Sequence, residues 1–400
     1  MPSPIRPLRI SAYTATSATG VGKAALLDAL RSRRGGLRPN DFGDDPLATF
    51  IGRVDGLEHA PLPPALGEWE CRNNRLAWIA LNADGFAQAA AAARARYGAA
   101  RIALVLGTST SSIGACEEGY RDVTPEGLYP EPLRRPIVHT PHSLGDFVQA
   151  ALGLDGYCVT VATACSSSAK VFAQAARLID AGVADAAIVG GVDTLCGSVL
   201  FGFNSLELVS PEPCRPFDRE RRGLSLGEGG GFALLERDER GGAAPRLLGY
   251  GESSDAHHMS SPHPDGLGAR LALEDALARA GLEPDAIDYV NAHGTASAKN
   301  DEVEATVLAA MFPATTRASS TKGWTGHTLG AAGIVEATIA LLALEHGFAP
   351  GTLNARELDP ACGPQVRIGN EDAELRYVAS NSFGFGGNNA TLVFGHGRTP

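Results

Sequence analysis

The chain has 400 residues, 44% of them hydrophobic and 20% charged, and a formal net charge of −11 at pH 7. That mixture supports a sizeable globular core, excludes disorder over most of the length, and disfavours nucleic acid or an anionic membrane surface as a partner. Cysteines at 71, 116, 158, 165, 196, 214 and 362 form no CxxC pair and no dense framework, which points to free thiols in a reducing compartment.

Met1 to Tyr13 carries Arg6 and Arg9 and turns polar before an apolar signal-peptide stretch develops. The longest apolar run, Ala337 to Leu344, is too short beside the roughly 18 residues of a membrane span. These features read as a soluble cytoplasmic protein.

In chain order, Arg9 to Gly20 reads as a first strand, and residues 36 to 70, with several prolines and little periodicity, as an irregular surface excursion. Ile102 to Leu106 and Ala187 to Val189 are apolar runs expected to be buried strands. Tyr157 to Thr163 alternates as a strand, and Ser166 to Asp180 places Ala169, Phe172, Ala176 and Ile179 on one helical stripe. Ala269 to Ala280 and Ile334 to Leu344 read as helices. The charged, Gly- and Ala-rich segment Glu236 to Pro245 is the expected boundary between halves 1–241 and 242–400. Clusters at Gly227 to Gly231 and Gly384 to Gly387 are expected to be turns or close backbone approaches. The rhythm is that of an α/β protein whose helices cover a largely buried sheet.

Cys165 falls at the turn from the strand into the helix that starts at Ser166. At a helix start the unpaired N–H groups and the positive end of the helix dipole favour thiolate, the form that attacks a thioester. The same N–H groups can bind a developing oxyanion.

The segment Val161-Ala-Thr-Ala-Cys-Ser-Ser-Ser168 resembles the active-site signature of the β-ketoacyl synthases. Asn291 to Asp301, Thr321 to Gly333 and Asn381 to Asn389 resemble three later segments of that family, in the expected order. Cys214 to Gly231 and Gly251 to Met259 are similar to two more, so the resemblance covers nearly the whole chain. It implies a thiolase-like fold, in which two similar α/β halves form a layered α-β-α-β-α body. The implied reaction is decarboxylating Claisen condensation of an acyl group on Cys165 with a malonyl unit on an acyl carrier protein.

The resemblance assigns His293 and His327 as paired donors to the enolate oxygen, with Lys322 and Glu336 as an ion pair beside them. Asp301 and Glu304 correspond to carboxylates supporting the His293 loop. Phe385 corresponds to the residue whose N–H joins that of Cys165 in the oxyanion hole and whose ring gates the acyl chamber, and Phe203 to a second aromatic at the mouth. Thr295 and Ser297 match hydroxyls that bind the phosphopantetheine arm. The all-hydroxyl stretch Thr108 to Ser112 aligns with the acyl-pocket lining, so Thr108 and Thr110 place a polyene or polyketide substrate beside straight saturated chains. Arg134 and Arg135 align with a basic segment that docks the acidic carrier.

The resemblance further implies a homodimer, with a heterodimer of related subunits as the alternative, and no metal or other cofactor beyond phosphopantetheine on the carrier. A thiolase would need a second Cys near the C-terminus, and Phe383 to Asn389 offers none. A starter-type synthase would have Cys-His-Asn, whereas the second partner here is His327. A non-catalytic chain-length factor would lack the nucleophile.

Overall fold

A computed structural model describes residues 4–44, 46–238 and 242–396. Ten strands form one continuous sheet path: β1 Leu8–Ser17, β2 Ile102–Gly107, β3 Cys158–Val161, β4 Ala186–Asp193, β5 Gly229–Arg237, β6 Pro245–Ser254, β7 Tyr289–Asn291, β8 Arg317–Ser319, β9 Tyr377–Gly384 and β10 Asn388–His396. Their spatial order is β8-β7-β9-β10-β6-β1-β5-β4-β2-β3. Read outward from the β1–β6 junction, the first half runs 1-5-4-2-3 and the second 6-10-9-7-8. The senses repeat as well: in each half the two strands nearest the junction pair antiparallel and the outer two pair parallel. The strands of the two halves pair where Leu8 and Arg9 face Leu247 and Arg246. This is the layered thiolase-like arrangement of two similar halves. The expected boundary, Glu236 to Pro245, includes residues 239–241, which lie outside the described residues.

Among the described residues the α-helices are α1 Gly22–Arg31, α2 Arg72–Leu81, α3 Phe86–Tyr97, α4 Ile113–Arg121, α5 Ser143–Leu152, α6 Ser167–Asp180, α7 Gly197–Ser205, α8 Leu267–Ala280, α9 Ala298–Met311, α10 Lys322–Thr325 and α11 Ala332–His346. Helices α6 and α11 hold equivalent places, each following the outermost strand of its half, and they pack on each other and on strands of both halves. A helix apolar on every side is stable only when surrounded, and α11, with the sequence AGIVEATIALLALEH, is buried from Ala332 to Leu344. The stretch Leu329–His346 has the length and composition to cross a membrane, exceeding the run Ala337 to Leu344, but 89% of it is buried inside the protein as a core helix.

Strands β2 and β4 are buried along their whole length, which is why they read as unbroken apolar runs. Gly107 ends β2 where a Cβ would lie 2.4 Å from the Ser168 backbone nitrogen, so only glycine lets α6 begin against this strand. Residues 36 to 70 lie largely at the surface, as expected, but are tied down by a pairing that the sequence pattern does not mark. Leu37–Pro39 and Phe50–Gly52 form a small sheet with Leu226–Gly227, and Ile51 and Leu57 are fully buried. The pairing partner is distant in sequence, so local periodicity carries no trace of it.

Candidate active site

Cys165 stands on a strained elbow between β3 and α6. Ala164, a non-glycine residue, has φ 52°, a conformation that persists only when surroundings impose it. Ser167 imposes it twice, donating from Oγ to the Ala164 carbonyl at 2.6 Å and accepting from the Thr163 N–H at 2.9 Å. The nucleophile is buried, with its sulfur 3.0 Å from His327 Nε2. Burial pushes the thiol up to about 11, against the opposing pull of Lys322 and the Phe385 N–H bonded to the sulfur. The resting group is therefore a thiol, where the helix-start argument alone predicts a thiolate.

His327 and His293 come from two loops of the second half, their rings 5.4 Å apart and nearly perpendicular. The backbone of His327 is bonded on both sides to the segment before β5, through Ser225 O at 2.8 Å and Gly227 N at 3.0 Å. His327 Nδ1 accepts the Leu329 N–H at 3.3 Å, so its proton sits on Nε2 and points to the sulfur. Lys322 Nζ lies 3.3 Å from His293 Nδ1 and also binds the His293 carbonyl, so Nδ1 is the acceptor there too. Burial, reinforced by Lys322, holds both imidazoles well below their ordinary value and therefore neutral.

Lys322 is bound to Glu336, both fully enclosed. Burial pushes the Glu336 carboxyl up to about 7, while Lys322 pulls it down. Glu304, at the second turn of α9, accepts the N–H groups of His293 and Gly294 at 2.8 and 2.7 Å and the Asn381 amide at 3.2 Å. Asp301 accepts the Phe217 N–H at 2.7 Å and the Ala296 N–H at 3.1 Å. Both carboxylates hold backbone and touch neither imidazole ring nor the sulfur in the hydrogen bonds they make.

A cavity of about 320 Å³ opens onto Cys165, His293 and His327. The Phe203 and Phe385 rings stack at 5.4 Å across it. A Cβ on Gly384 would lie 2.8 Å from the Thr163 carbonyl, so the Gly384–Gly387 turn sits directly against the nucleophile elbow. Thr295 and Ser297 line this cavity with their hydroxyls 2.9 Å apart.

Two groups of expected residues stand elsewhere. The hydroxyls of Thr108 and Thr110, expected at the acyl pocket, both donate to the buried carboxylate of Asp193. Arg134 and Arg135 border a separate cavity with Tyr120, Tyr129 and His139, and donate to the carbonyls of Tyr129 and Glu70. The cations that do line the Cys165 cavity are Arg221, Arg222 and Lys299. Asp193 was legible only as a lone acid ending the apolar strand Ala186–Asp193, which is where open α/β sheets place functional groups.

The ligand atoms of Cys165, His293 and His327 lie within 4.8 Å of one another, a spacing that could hold a metal ion. The donor set does not suit one. Both Nε2 atoms carry protons in the tautomers just derived, and the Lys322 ammonium stands beside His293.

The model for the N-terminal domain of beta-ketoacyl synthase matches residues 73–241, and that for the C-terminal domain matches residues 245–356. The chain belongs to the β-ketoacyl synthase family. Among curated relatives, the mitochondrial 3-oxoacyl-[acyl-carrier-protein] synthase of Arabidopsis thaliana is 41% identical over 267 residues, which cover 62% of this chain and 58% of that protein. The 3-oxoacyl-[acyl-carrier-protein] synthase 2 of Vibrio cholerae is 35% identical over 318 residues, 74% of this chain and 76% of the relative. Among solved structures, a chain from the ketosynthase ApeO in complex with its chain length factor ApeC, from Xenorhabdus doucetiae, superposes with TM-score 0.88 at 36% identity over 98% of both chains. A β-ketoacyl synthase from Burkholderia phymatum gives TM-score 0.87 at 28% identity over 98% of this chain and all of that one.

Proposed function

We infer that this β-ketoacyl synthase condenses an acyl group held on Cys165 with malonyl-acyl carrier protein, releasing CO2 and 3-oxoacyl-acyl carrier protein. The observation that carries the reading is the convergence of a ring nitrogen from each of two neutral imidazoles and one thiol sulfur within 4.8 Å. In the first half-reaction the Cys165 sulfur attacks the acyl thioester, and the thiol proton leaves with the carrier's sulfur. The Cys165 and Phe385 N–H groups face the oxyanion. In the second, malonyl thioester loses CO2, and the enolate oxygen is held by His293 and His327. Neutral imidazole donors stabilise that oxygen without protonating the nucleophilic carbon. The carbon attacks the Cys165 thioester, and the sulfur departs and regains a proton.

The chemistry closes on this chain's own side chains together with substrates carried on phosphopantetheine, whose arm Thr295 and Ser297 receive, so neither metal nor other cofactor is invoked. The family and the free thiols suit a cytoplasmic enzyme of fatty acid or related polyene and polyketide synthesis. A homodimer is the first reading. Likeness to a ketosynthase solved with its chain length factor favours a related but different subunit as the second. Either partner has an apolar surface to cover, since Ile113, Tyr120, Val123 and Leu128 are exposed on and beyond α4.

The test is mass spectrometry of the purified chain incubated with a panel of acyl carrier thioesters, followed by malonyl-acyl carrier protein. A mass gain on Cys165 that disappears as 3-oxoacyl product forms supports the reading. Acylation followed only by hydrolysis would overturn it.

A further inference from the structure

Asp193, at the C-terminal end of β4, is a fully buried carboxylate that gathers the turn after β2. It accepts the Ser109 N–H at 3.0 Å, the Thr110 N–H at 2.8 Å, and the hydroxyls of Thr108, Ser109 and Thr110, the last two at 2.9 and 2.6 Å. Ser109 Oγ, its proton committed to Asp193, accepts the Gly330 N–H at 3.1 Å. Gly330 itself is pressed on the clamp: a Cβ there would lie 2.6 Å from Asp193 Oδ2 and 2.7 Å from the Ser109 nitrogen. The residue before it, Leu329, has φ 57°, a left-handed conformation unfavourable for any residue that carries a Cβ and sustained only by its surroundings. In that conformation the Leu329 N–H reaches His327 Nδ1 at 3.3 Å.

Every link joins groups in direct contact, from the carboxylate through one hydroxyl and one strained turn to the imidazole that faces Cys165. We propose that Asp193, acting through Ser109 and the Leu329–Gly330 turn, is a positioning residue that holds His327 in the tautomer with its proton on Nε2. It touches neither substrate nor sulfur. The proposal explains why a stretch expected to line the acyl pocket instead spends its hydroxyls on a carboxylate 83 residues away from Thr110. It rests on the condensing role given above to His327, but its primary readout does not.

That readout is the 15N spectrum of histidine-labelled full-length protein, in which protonated and unprotonated ring nitrogens are resolved. In the wild type the His327 proton should lie on Nε2. Asp193→Asn removes the charge and turns an amide on converging donors, and Ser109→Ala removes the acceptor for Gly330. Both should populate the Nδ1–H tautomer of His327, and Ser109→Thr should restore the wild-type spectrum. In single turnovers condensation should fall at least about tenfold in both variants, since a wrong tautomer disables an imidazole, while Cys165 acylation changes less than about threefold. A His327 spectrum unchanged in folded Ser109→Ala and Asp193→Asn would overturn the proposal. If Asp193→Asn does not fold, Ser109→Ala decides alone. A wild type that acylates but never condenses would sink the functional reading and leave the tautomer result standing.

Discussion

Lys322 Nζ lies 3.3 Å from His293 Nδ1, and this one contact decides where the His293 proton resides. A buried ammonium has only donors to offer, so Nδ1 must accept and Nε2 must carry the hydrogen. His327 reaches the same tautomer by another route, through the Leu329 N–H. Glu336, bound to the same Nζ, fixes the lysine beside the ring. The ion pair is thus a device for aiming a neutral imidazole.

Replacing the nucleophile separates the two half-reactions. Cys165→Ala should abolish both acyl transfer and condensation, yet leave malonyl-acyl carrier protein decarboxylation measurable, because His293 and His327 still face the cavity. Release of CO2 from labelled malonyl substrate checks this. Condensation persisting in that variant is incompatible with Cys165 as the acyl carrier.

His327→Ala removes one donor to the enolate and leaves the elbow at Ala164 and the Phe385 N–H in place. The variant should still load acyl groups on Cys165, as seen by intact mass. Extension should slow by about 3 to 4 kcal/mol of transition-state stabilisation, the typical value of one preorganised oxyanion donor. A condensation rate near that of the wild type would remove His327 from the donor role.

Protonation of the pair has a sign that can be read directly. Burial and the neighbouring lysine hold His293 and His327 well below 6.5, so both should remain neutral as pH falls from 8 to 6. A free imidazole would pass its midpoint near 6.5 in that interval. The ring 15N signals of the two should therefore stay fixed from pH 8 to pH 6. A midpoint at or above 6.5 for either would mean that it is hydrated or facing a carboxylate, contrary to the geometry.

The site was legible in the sequence wherever chemistry is written into one short segment. Cys165, His293, His327, Lys322 and Glu336 each lie in or beside a short segment that resembles a family motif, so the resemblance could assign them one segment at a time. It fails where a residue's role depends on a distant partner. Thr108 and Thr110 face Asp193, and the strands at Leu37 and Phe50 find their sheet through Leu226. Nor does the helix-start argument include the burial that raises the Cys165 thiol. Desolvation is a property of the closed structure.

The same difference separates two candidate docking surfaces for the carrier. Arg222 is exposed at the Cys165 cavity, Lys299 stands there with 75% of its side chain exposed, and Lys299 pairs only loosely with Glu302 at 3.5 Å. Arg134 and Arg135, aligned with a docking segment in the sequence, border another cavity and are bonded to backbone carbonyls. On a protein of net charge −11, an acidic partner needs a local cationic patch, and a phosphate at the base of a pantetheine arm needs it at the tunnel mouth. Arg222→Glu with Lys299→Glu should therefore raise the KM for acyl carrier thioester several-fold, about tenfold at low salt, with the difference narrowing as salt screens the attraction. Reaction with a small acyl-pantetheine thioester should be nearly unchanged. Arg134→Glu with Arg135→Glu should leave both substrates close to wild type. If the second pair raises the carrier KM and the first does not, docking occurs on the Arg134 face and the cations at the mouth serve only the arm.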